Sequence, residues 1–200
     1  MLSNFEIGVD EVGRGPLAGP VTVAAVLIPK NFNFGELIYK NKKISLRDSK
    51  KHTEKQREDW FEYAKQKDIS FIVSSVYPKT IDKINISKAV NLAAERCIKK
   101  IFLSHSLNKD EVDVLTDGGI RIGNKKSFIE YESIIKGDTK ISSIKMASII
   151  AKVSRDRAMN RYDKEFPEYN FSKHKGYGTK EHMNLLKFHG PCRIHRLTFI

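Results

Sequence analysis

Four acidic side chains stand where extended segments of this sequence give out. Asp10 and Glu11 follow the alternating stretch Phe5, Ile7, Val9; Asp117 closes the segment that starts at Glu111; Asp138 comes just after the segment that ends at Ile135. If those segments are neighbouring strands, the four carboxylates converge at one edge of a sheet. Carboxylates crowded in that way repel, and some take up protons unless a cation sits among them. Hard oxygen donors in an open cluster suit Mg²⁺ or Mn²⁺, ions that keep waters and also bind phosphate oxygens. Two such ions about 3.5–4 Å apart orient a water for in-line attack on a phosphodiester and stabilise the leaving oxygen. Taken singly, each acid is equally a cap, a turn or a surface ion pair among 24 acidic residues, and Asp117 before Gly118-Gly119 reads as a plain turn.

The elements that must hold these acids can be read from pattern. Phe5, Ile7 and Val9 alternate with Glu6, Gly8 and Asp10, as in a strand with one buried face. Residues 13–20 carry three glycines and two prolines, a tight irregular turn, and the apolar run Val21 to Ile28 completes a hairpin. Residues 29–48 are polar and read as a variable excursion. A helix is expected from Thr53, with Gln56 completing a capping box and Trp60, Phe61 and Ala64 buried. Ile69–Tyr77 reads as a third strand, Ser87–Leu103 as a helix with Ala89, Ala93, Cys97 and Ile101 on one stripe, Glu111–Asp117 as a fourth strand and Phe128–Ile135 as a fifth. A long helix follows, with Ile144, Ala147, Ala151, Ser154 and Ala158 as a small-residue stripe. A hairpin followed by alternating helices and strands predicts an α/β fold with a mixed five-stranded sheet flanked by helices.

Composition narrows the partners. The 200 residues include 36 Lys and Arg against 24 Asp and Glu, a formal charge of +12, which favours polyanions and above all nucleic acid. No apolar run approaches the roughly 18 residues of a membrane span, and the N-terminus lacks the layout of a secretion signal. Two distant cysteines, Cys97 and Cys192, suit a reducing compartment rather than a disulfide scaffold. The expectation is a cytoplasmic protein without membrane contact. It forms a single domain over residues 1–200, with a helical, basic C-terminal extension from about 160.

The neighbours of the four acids are distinctive. The run from Gly8-Val9-Asp10-Glu11 through Gly13-Arg14-Gly15-Pro16 to Gly19-Pro20-Val21 resembles the opening signature of the ribonuclease HII family, whose members cleave RNA embedded in or paired with DNA. The likeness continues in Asp48-Ser49-Lys50-Lys51, in Asn85-Ile86 with Ala89, and in Lys136-Gly137-Asp138. It extends through Ala147-Ser148-Ile149-Ile150-Ala151-Lys152-Val153 with Arg155-Asp156 to His174-Lys175-Gly176-Tyr177-Gly178-Thr179.

This resemblance implies a ribonuclease H-like fold and a catalytic, metal-binding set of Asp10, Glu11, Asp117 and Asp138. It implies that Gly13, Arg14 and Gly15 read the ribonucleotide's 2′-hydroxyl and adjacent phosphate. Glycine lets the main chain approach a sugar closely, and the 2′-hydroxyl is what separates RNA from DNA. Tyr177 would stack on the deoxyribose that follows the ribonucleotide, with Lys50, Lys51 and Lys152 as phosphate contacts. On their own, the loop glycines read as a hairpin connection, Tyr177 as a surface aromatic and the lysines as solvated charge. Thr116 before Asp117 and Lys145-Met146 early in the long helix depart from the family pattern, so that helix start is expected to pack differently. Gly-Arg-Gly, rather than Gly-Lys-Gly behind an N-terminal extension, favours type II over type III. His189, Cys192 and His195 carry transition-metal spacing, but the partner set is incomplete, and a packed basic tail is the favoured reading.

The function expected is therefore a monomeric, Mg²⁺- or Mn²⁺-dependent endoribonuclease, with two ions when substrate is bound. It acts on the RNA strand of RNA–DNA hybrids and cuts 5′ to ribonucleotides in duplex DNA, leaving 3′-hydroxyl and 5′-phosphate ends. The alternatives are a non-catalytic basic nucleic-acid-binding protein, which explains the charge but not the strand-end acids, and a DNA nuclease of similar fold.

Overall fold

A computed structural model describes residues 3–123 and 129–200; the expected strand start at Phe128 lies outside the described residues. Strand β1 (Phe5–Val12) pairs antiparallel with β2 (Val21–Pro29), as the alternation predicts. Asp10 and Glu11 lie within this pairing, opposite Ala24 and Val23, rather than beyond the strand. Between residues 29 and 48 the sequence reading missed a second hairpin, β3 (Glu36–Tyr39) with β4 (Lys42–Ser45). Its two-residue turn, Lys40-Asn41, has both φ angles positive, at 48° and 59°, the twist that suits a tight hairpin.

Helix α1 (Glu54–Gln66) starts where expected. Thr53 Oγ1 accepts from the Gln56 N–H at 3.2 Å, and Gln56 Oε1 accepts from the Thr53 N–H at 3.0 Å. Strand β5 (Ser70–Val76) follows. Next is an unexpected helix, α2 (Pro78–Ile84), with proline in its first turn, and then α3 (Ile86–His105). Strand β6 (Val112–Asp117) and a three-residue β7 (Glu132–Ile134) complete a sheet ordered β5-β2-β1-β6-β7. The β5-β2-β1 part is antiparallel, whereas β6 runs parallel to β1 and β7 parallel to β6, so the sheet is mixed as predicted.

Burial on both faces explains the unbroken apolar run of β2. Its odd-numbered residues Val21, Val23, Ala25 and Leu27 pack with Ala89, Val90, Ala93, Cys97 and Ile101 of α3. Its even-numbered Ala24, Val26 and Ile28 pack with Trp60, Phe61 and Ala64 of α1 and with the long helix α5 (Ser142–Glu165), which follows the short α4 (Gly137–Lys140). Of the predicted α5 stripe, Ile144, Ala147 and Ala151 are buried and Ser154 and Ala158 only half so. Met146, Ile149, Ile150 and Val153 are buried as well, because β1, β2 and α1 surround the first half of the helix. Met146 therefore joins the core rather than disturbing it.

Gly8 is the point of closest approach between β1 and α5. A β-carbon there would overlap the main chain of Ser143 and Ile144, so only hydrogen fits. On the same face of β1, Glu6 accepts from the Ser143 hydroxyl.

Beyond α5, helices α6 (Phe171–His174) and α7 (Lys180–His189) form the expected C-terminal extension. The extension folds back on the 13–20 loop. Ala18, Met159, Tyr169, Phe171 and Ile194 share one apolar cluster, the Gly19 N–H donates to the Ile194 carbonyl at 2.8 Å, and Arg196 N–H donates to the Leu17 carbonyl at 2.8 Å. Both cysteines are free. Among the described residues, no helix is long and apolar enough to cross a membrane.

Candidate active site

The predicted acids meet. Asp10, Glu11, Asp117 and Asp138 line one cavity of about 190 Å³, together with Ser49, Lys50, Arg57, Ser148, Lys152 and Tyr177. Three elements bring them there. The parallel register sets Val9 opposite Thr116, so Asp10 and Asp117 are carried forward side by side. Asp138 arrives from the first turn of α4, not from a strand end as expected. The coupling is through Asp117, whose Oδ1 accepts from the Gly137 N–H at 2.7 Å.

Each carboxylate has its own surroundings. Asp10 Oδ1 accepts from the Glu11 N–H at 2.7 Å. Its carboxyl is pushed well above the ordinary range by burial, then by the charges of Glu11 and Asp117, against which a hydrogen bond from Ser148 works. Glu11 is raised by burial and by Asp117, although Arg14, donating to Glu11 Oε1 at 2.9 Å, pulls the other way. Among the described residues, Glu11 Oε2 is buried without a partner. Asp138 is raised by burial, then by Asp117 and Asp48, while Lys50 Nζ, 3.8 Å from Asp138 Oδ2, lowers it. Among the described residues, no three His, Cys, Asp or Glu side chains stand close enough together to form a metal-holding group.

The other predicted residues divide. Lys152 lies in the cavity, its amine lowered by burial despite Asp156 Oδ1 at 2.7 Å. Lys50 faces Asp138, but Lys51 is exposed and outside the cavity, because the 3₁₀ turn over Ser49–Lys51 aims successive side chains apart. Tyr177 borders the cavity 41% exposed, with the Arg155 guanidinium 5.8 Å from its ring centre. Gly13, Arg14 and Gly15 do not line the cavity; Arg14 reaches it through Glu11. A larger cavity of about 610 Å³ near the start of β6 holds none of the predicted residues.

Several supporting residues escaped the sequence reading, although most sit inside the quoted motifs. Ser148 bonds Ser49 through their hydroxyls at 2.9 Å, tying α5 to the Lys50 turn behind Asp10. Arg57 Nη1 donates to the carbonyls of Ser49 at 3.2 Å and His52 at 2.6 Å, and its Nη2 stands 3.8 Å from Asp156. Lys152 and Asp156 are spaced i, i+4 on a helix, a signal the sequence did offer.

The C-terminal histidines form a closed relay. The Cys192 N–H donates to His195 Nδ1 at 2.9 Å, leaving His195 Nε2–H to donate to His182 Nε2 at 3.1 Å, and His182 Nδ1–H to the Tyr177 carbonyl at 2.9 Å. Cys192 and His182 thus meet opposite edges of the His195 ring, where one cation cannot bridge them. His189 instead packs on Tyr169 and Phe188.

Comparison with known proteins places the fold first. The ribonuclease H2 structure from Pyrococcus horikoshii OT3 superposes with a TM-score of 0.65 at 26% identity, covering 97% of this chain and 93% of that one. Bst-RNase HIII in complex with Mn²⁺ superposes at 0.68 with 17% identity over 99% of this chain and 68% of that one, a likeness of fold. The class is thus a nuclease of the ribonuclease H type. A ribonuclease HII from Endomicrobium trichonymphae is 45% identical over 192 residues, 96% of this chain and 83% of that one. The ribonuclease HII family model matches residues 7–200, and the chain belongs to that family. An enzyme of this family is not the non-catalytic binding protein weighed above.

Proposed function

We propose that the protein is a divalent-metal-dependent endonuclease that cuts 5′ to ribonucleotides in duplex DNA and cleaves the RNA strand of RNA–DNA hybrids. The observation that carries this reading is the convergence of Asp10, Glu11, Asp117 and Asp138 on one cavity edged by Lys50, Lys152 and Tyr177.

The donor set fits a hard cation. Among the described residues Glu11 Oε2 is buried with no donor facing it, and burial together with like charge raises Asp10, Glu11 and Asp138, so a cation relieves both strains. Asp10 and Asp117 would hold Mg²⁺ or Mn²⁺ most directly, with Glu11 and Asp138 completing the set; the Mn²⁺ bound by Bst-RNase HIII of similar fold supports the choice. Bound there, such ions supply an activated water and charge stabilisation for the leaving oxygen. The chain's own residues do the rest. Lys152, paired with Asp156 against the burial that lowers its amine, offers its ammonium group to the substrate backbone, with Lys50 beside it and Lys51 at the rim. Gly13 to Gly15 offer main chain close to the ribose, and Tyr177 offers an exposed ring for the following deoxyribose. We read residues 1–200 as one cytoplasmic domain, acting as a monomer.

The test is a gel assay on duplex DNA bearing one ribonucleotide, with Mg²⁺, with Mn²⁺ and with EDTA. A metal-dependent nick 5′ to the ribonucleotide, leaving 3′-hydroxyl and 5′-phosphate ends, is expected. Retention without nicking, or equal cutting of an all-DNA duplex, contradicts the reading.

A further inference from the structure

Two buried arginines grip the loop from Gly13 to Pro20 through its carbonyl groups. Arg155, on α5, donates to Pro20 from Nε at 2.9 Å, to Lys175 from Nη1 at 2.9 Å and to Ala18 from Nη2 at 3.2 Å. Arg196, in the C-terminal segment, donates to Gly19 from Nε at 3.0 Å, to Arg14 from Nη1 at 2.9 Å and to Gly13 from Nη2 at 2.7 Å. Arg196 is fully buried. Burial, helped by the neighbouring Arg155 charge, pushes its guanidinium down to about 9, still charged at neutral pH. Burying a charge chiefly against carbonyls, with only the Asp82 charge and the Phe199 ring 5.1 Å away to help, is costly, and a hydrophobic side chain of similar volume would serve packing more cheaply. The arrangement therefore points to a task beyond packing.

Peptide planarity fixes where the neighbouring N–H groups point. In a trans peptide the carbonyl and the following N–H point in opposite directions, and the described residues contain no cis bond. With the Gly13 and Arg14 carbonyls drawn to Arg196, the N–H groups of Arg14 and Gly15 face the other way. Neither donates to an acceptor among the described residues. The space beside them is open: a β-carbon on Gly15 would meet nothing within 4 Å. The Arg14 side chain, on the same loop, reaches Glu11 at the edge of the acidic cavity. Gly13 itself has φ +89° and no room for a β-carbon against Arg155, so the loop is wedged between the two guanidinium groups.

We infer that Arg196 is a positioning residue for ribonucleotide selection: by holding the Gly13 and Arg14 carbonyls it presets the Arg14 and Gly15 N–H groups as paired donors to the ribose 2′-hydroxyl oxygen and its adjacent phosphate. The inference rests on the proposed reading of residues 13–15 as the ribose-sensing loop. Fixed donors discriminate better than mobile ones, because a deoxyribose leaves them unpaired and they cannot turn to another acceptor. The grip is itself anchored, since Asp82 on α2 accepts from the Leu197 N–H at 3.0 Å and the Thr198 N–H at 3.1 Å just beyond Arg196.

Fluorescence anisotropy in EDTA, where no strand is cut, compares affinity for a duplex with one ribonucleotide against the matched all-DNA duplex. Wild-type protein is expected to prefer the former. Arg196→Ala and Arg196→Lys are expected to lose about tenfold of that preference, the loss of one good hydrogen bond to the 2′-hydroxyl, while any weakening of the phosphate contact falls equally on both duplexes. Added guanidinium, far below unfolding concentrations, is expected to restore the preference in Arg196→Ala. Ile98→Val, a core change away from the loop, keeps the preference and so separates lost stability from lost positioning. Wild-type preference retained by both Arg196 variants overturns the inference alone. Wild type without preference overturns the reading of the loop and the inference with it. If Arg196→Ala does not fold, Arg196→Lys decides.

Discussion

Asp10 is both the centre of the proposed chemistry and a source of strain in the metal-free protein. Its folded pKa is raised by burial and by Glu11 and Asp117 above an ordinary value of 3.8. The folded chain therefore binds this proton more tightly than the unfolded chain, and Asp10 costs stability as pH rises from about 4 through its folded pKa. Asp10→Asn should lower cleavage by about a thousandfold while retaining hybrid binding. In EDTA at pH 7 it should also be more stable than wild type in urea unfolding. Equal turnover by the variant would defeat the catalytic assignment, and lower stability would defeat the strain argument. At this scale the gathering of the four acids with Lys50, Lys152 and Tyr177 at one cavity was legible because each sits in a distinctive motif. Ser148, Arg57 and Arg196 were not, since they act through contacts 99 residues away, Ser148 with Ser49 and Arg57 with Asp156, or more than 180 residues away, Arg196 with the 13–14 carbonyls.

Among the elements, the crossing of β1 and α5 fixes where Asp10 points. Gly8→Ala puts a methyl into the main chain of Ser143 and Ile144; overpacking against backbone should cost about 3 kcal/mol and lower the melting temperature by about 10 °C. A variant that melts with wild type would show that the crossing has slack. The α6–α7 extension has its own signature. Burial, then the neighbouring His182, depresses His195 to about 4. Because the folded pKa lies below the unfolded 6.5, the stability it contributes is present above 6.5 and lost as pH falls toward 4. The His195 ring resonance should titrate near 4 by NMR, and an ordinary midpoint near 6.5 would mean that the relay to His182 and Tyr177 is not closed. Long periodic elements such as β1, β2, α3 and α5 were readable from the sequence. The β3–β4 hairpin and α2 were not, being short segments whose burial depends on what they pack against, and the fifth strand expected over Phe128–Ile135 forms only at Glu132–Ile134 among the described residues.

For the molecule as a whole, charge and topology carry complementary information. A formal charge of +12 over the whole chain predicts duplex binding that weakens steeply with salt, by about 10³-fold or more between 50 and 200 mM if six or more phosphates are contacted. Filter binding across that range checks it, and a flat response would place the basic surface elsewhere than on the substrate. The mixed sheet was expected from the order of element types, but the β5-β2-β1-β6-β7 order was not, because strand pairing is set by long-range packing that periodicity does not record. That order is what brings residues 10, 11, 117 and 138 together. The most direct test is anomalous diffraction from crystals of the protein with Mn²⁺ and a duplex bearing one ribonucleotide. Manganese peaks bridging Asp10 and Asp117, with Glu11 or Asp138 beside them and the scissile phosphate against them, are predicted; a bound duplex with manganese absent from these carboxylates would contradict the account.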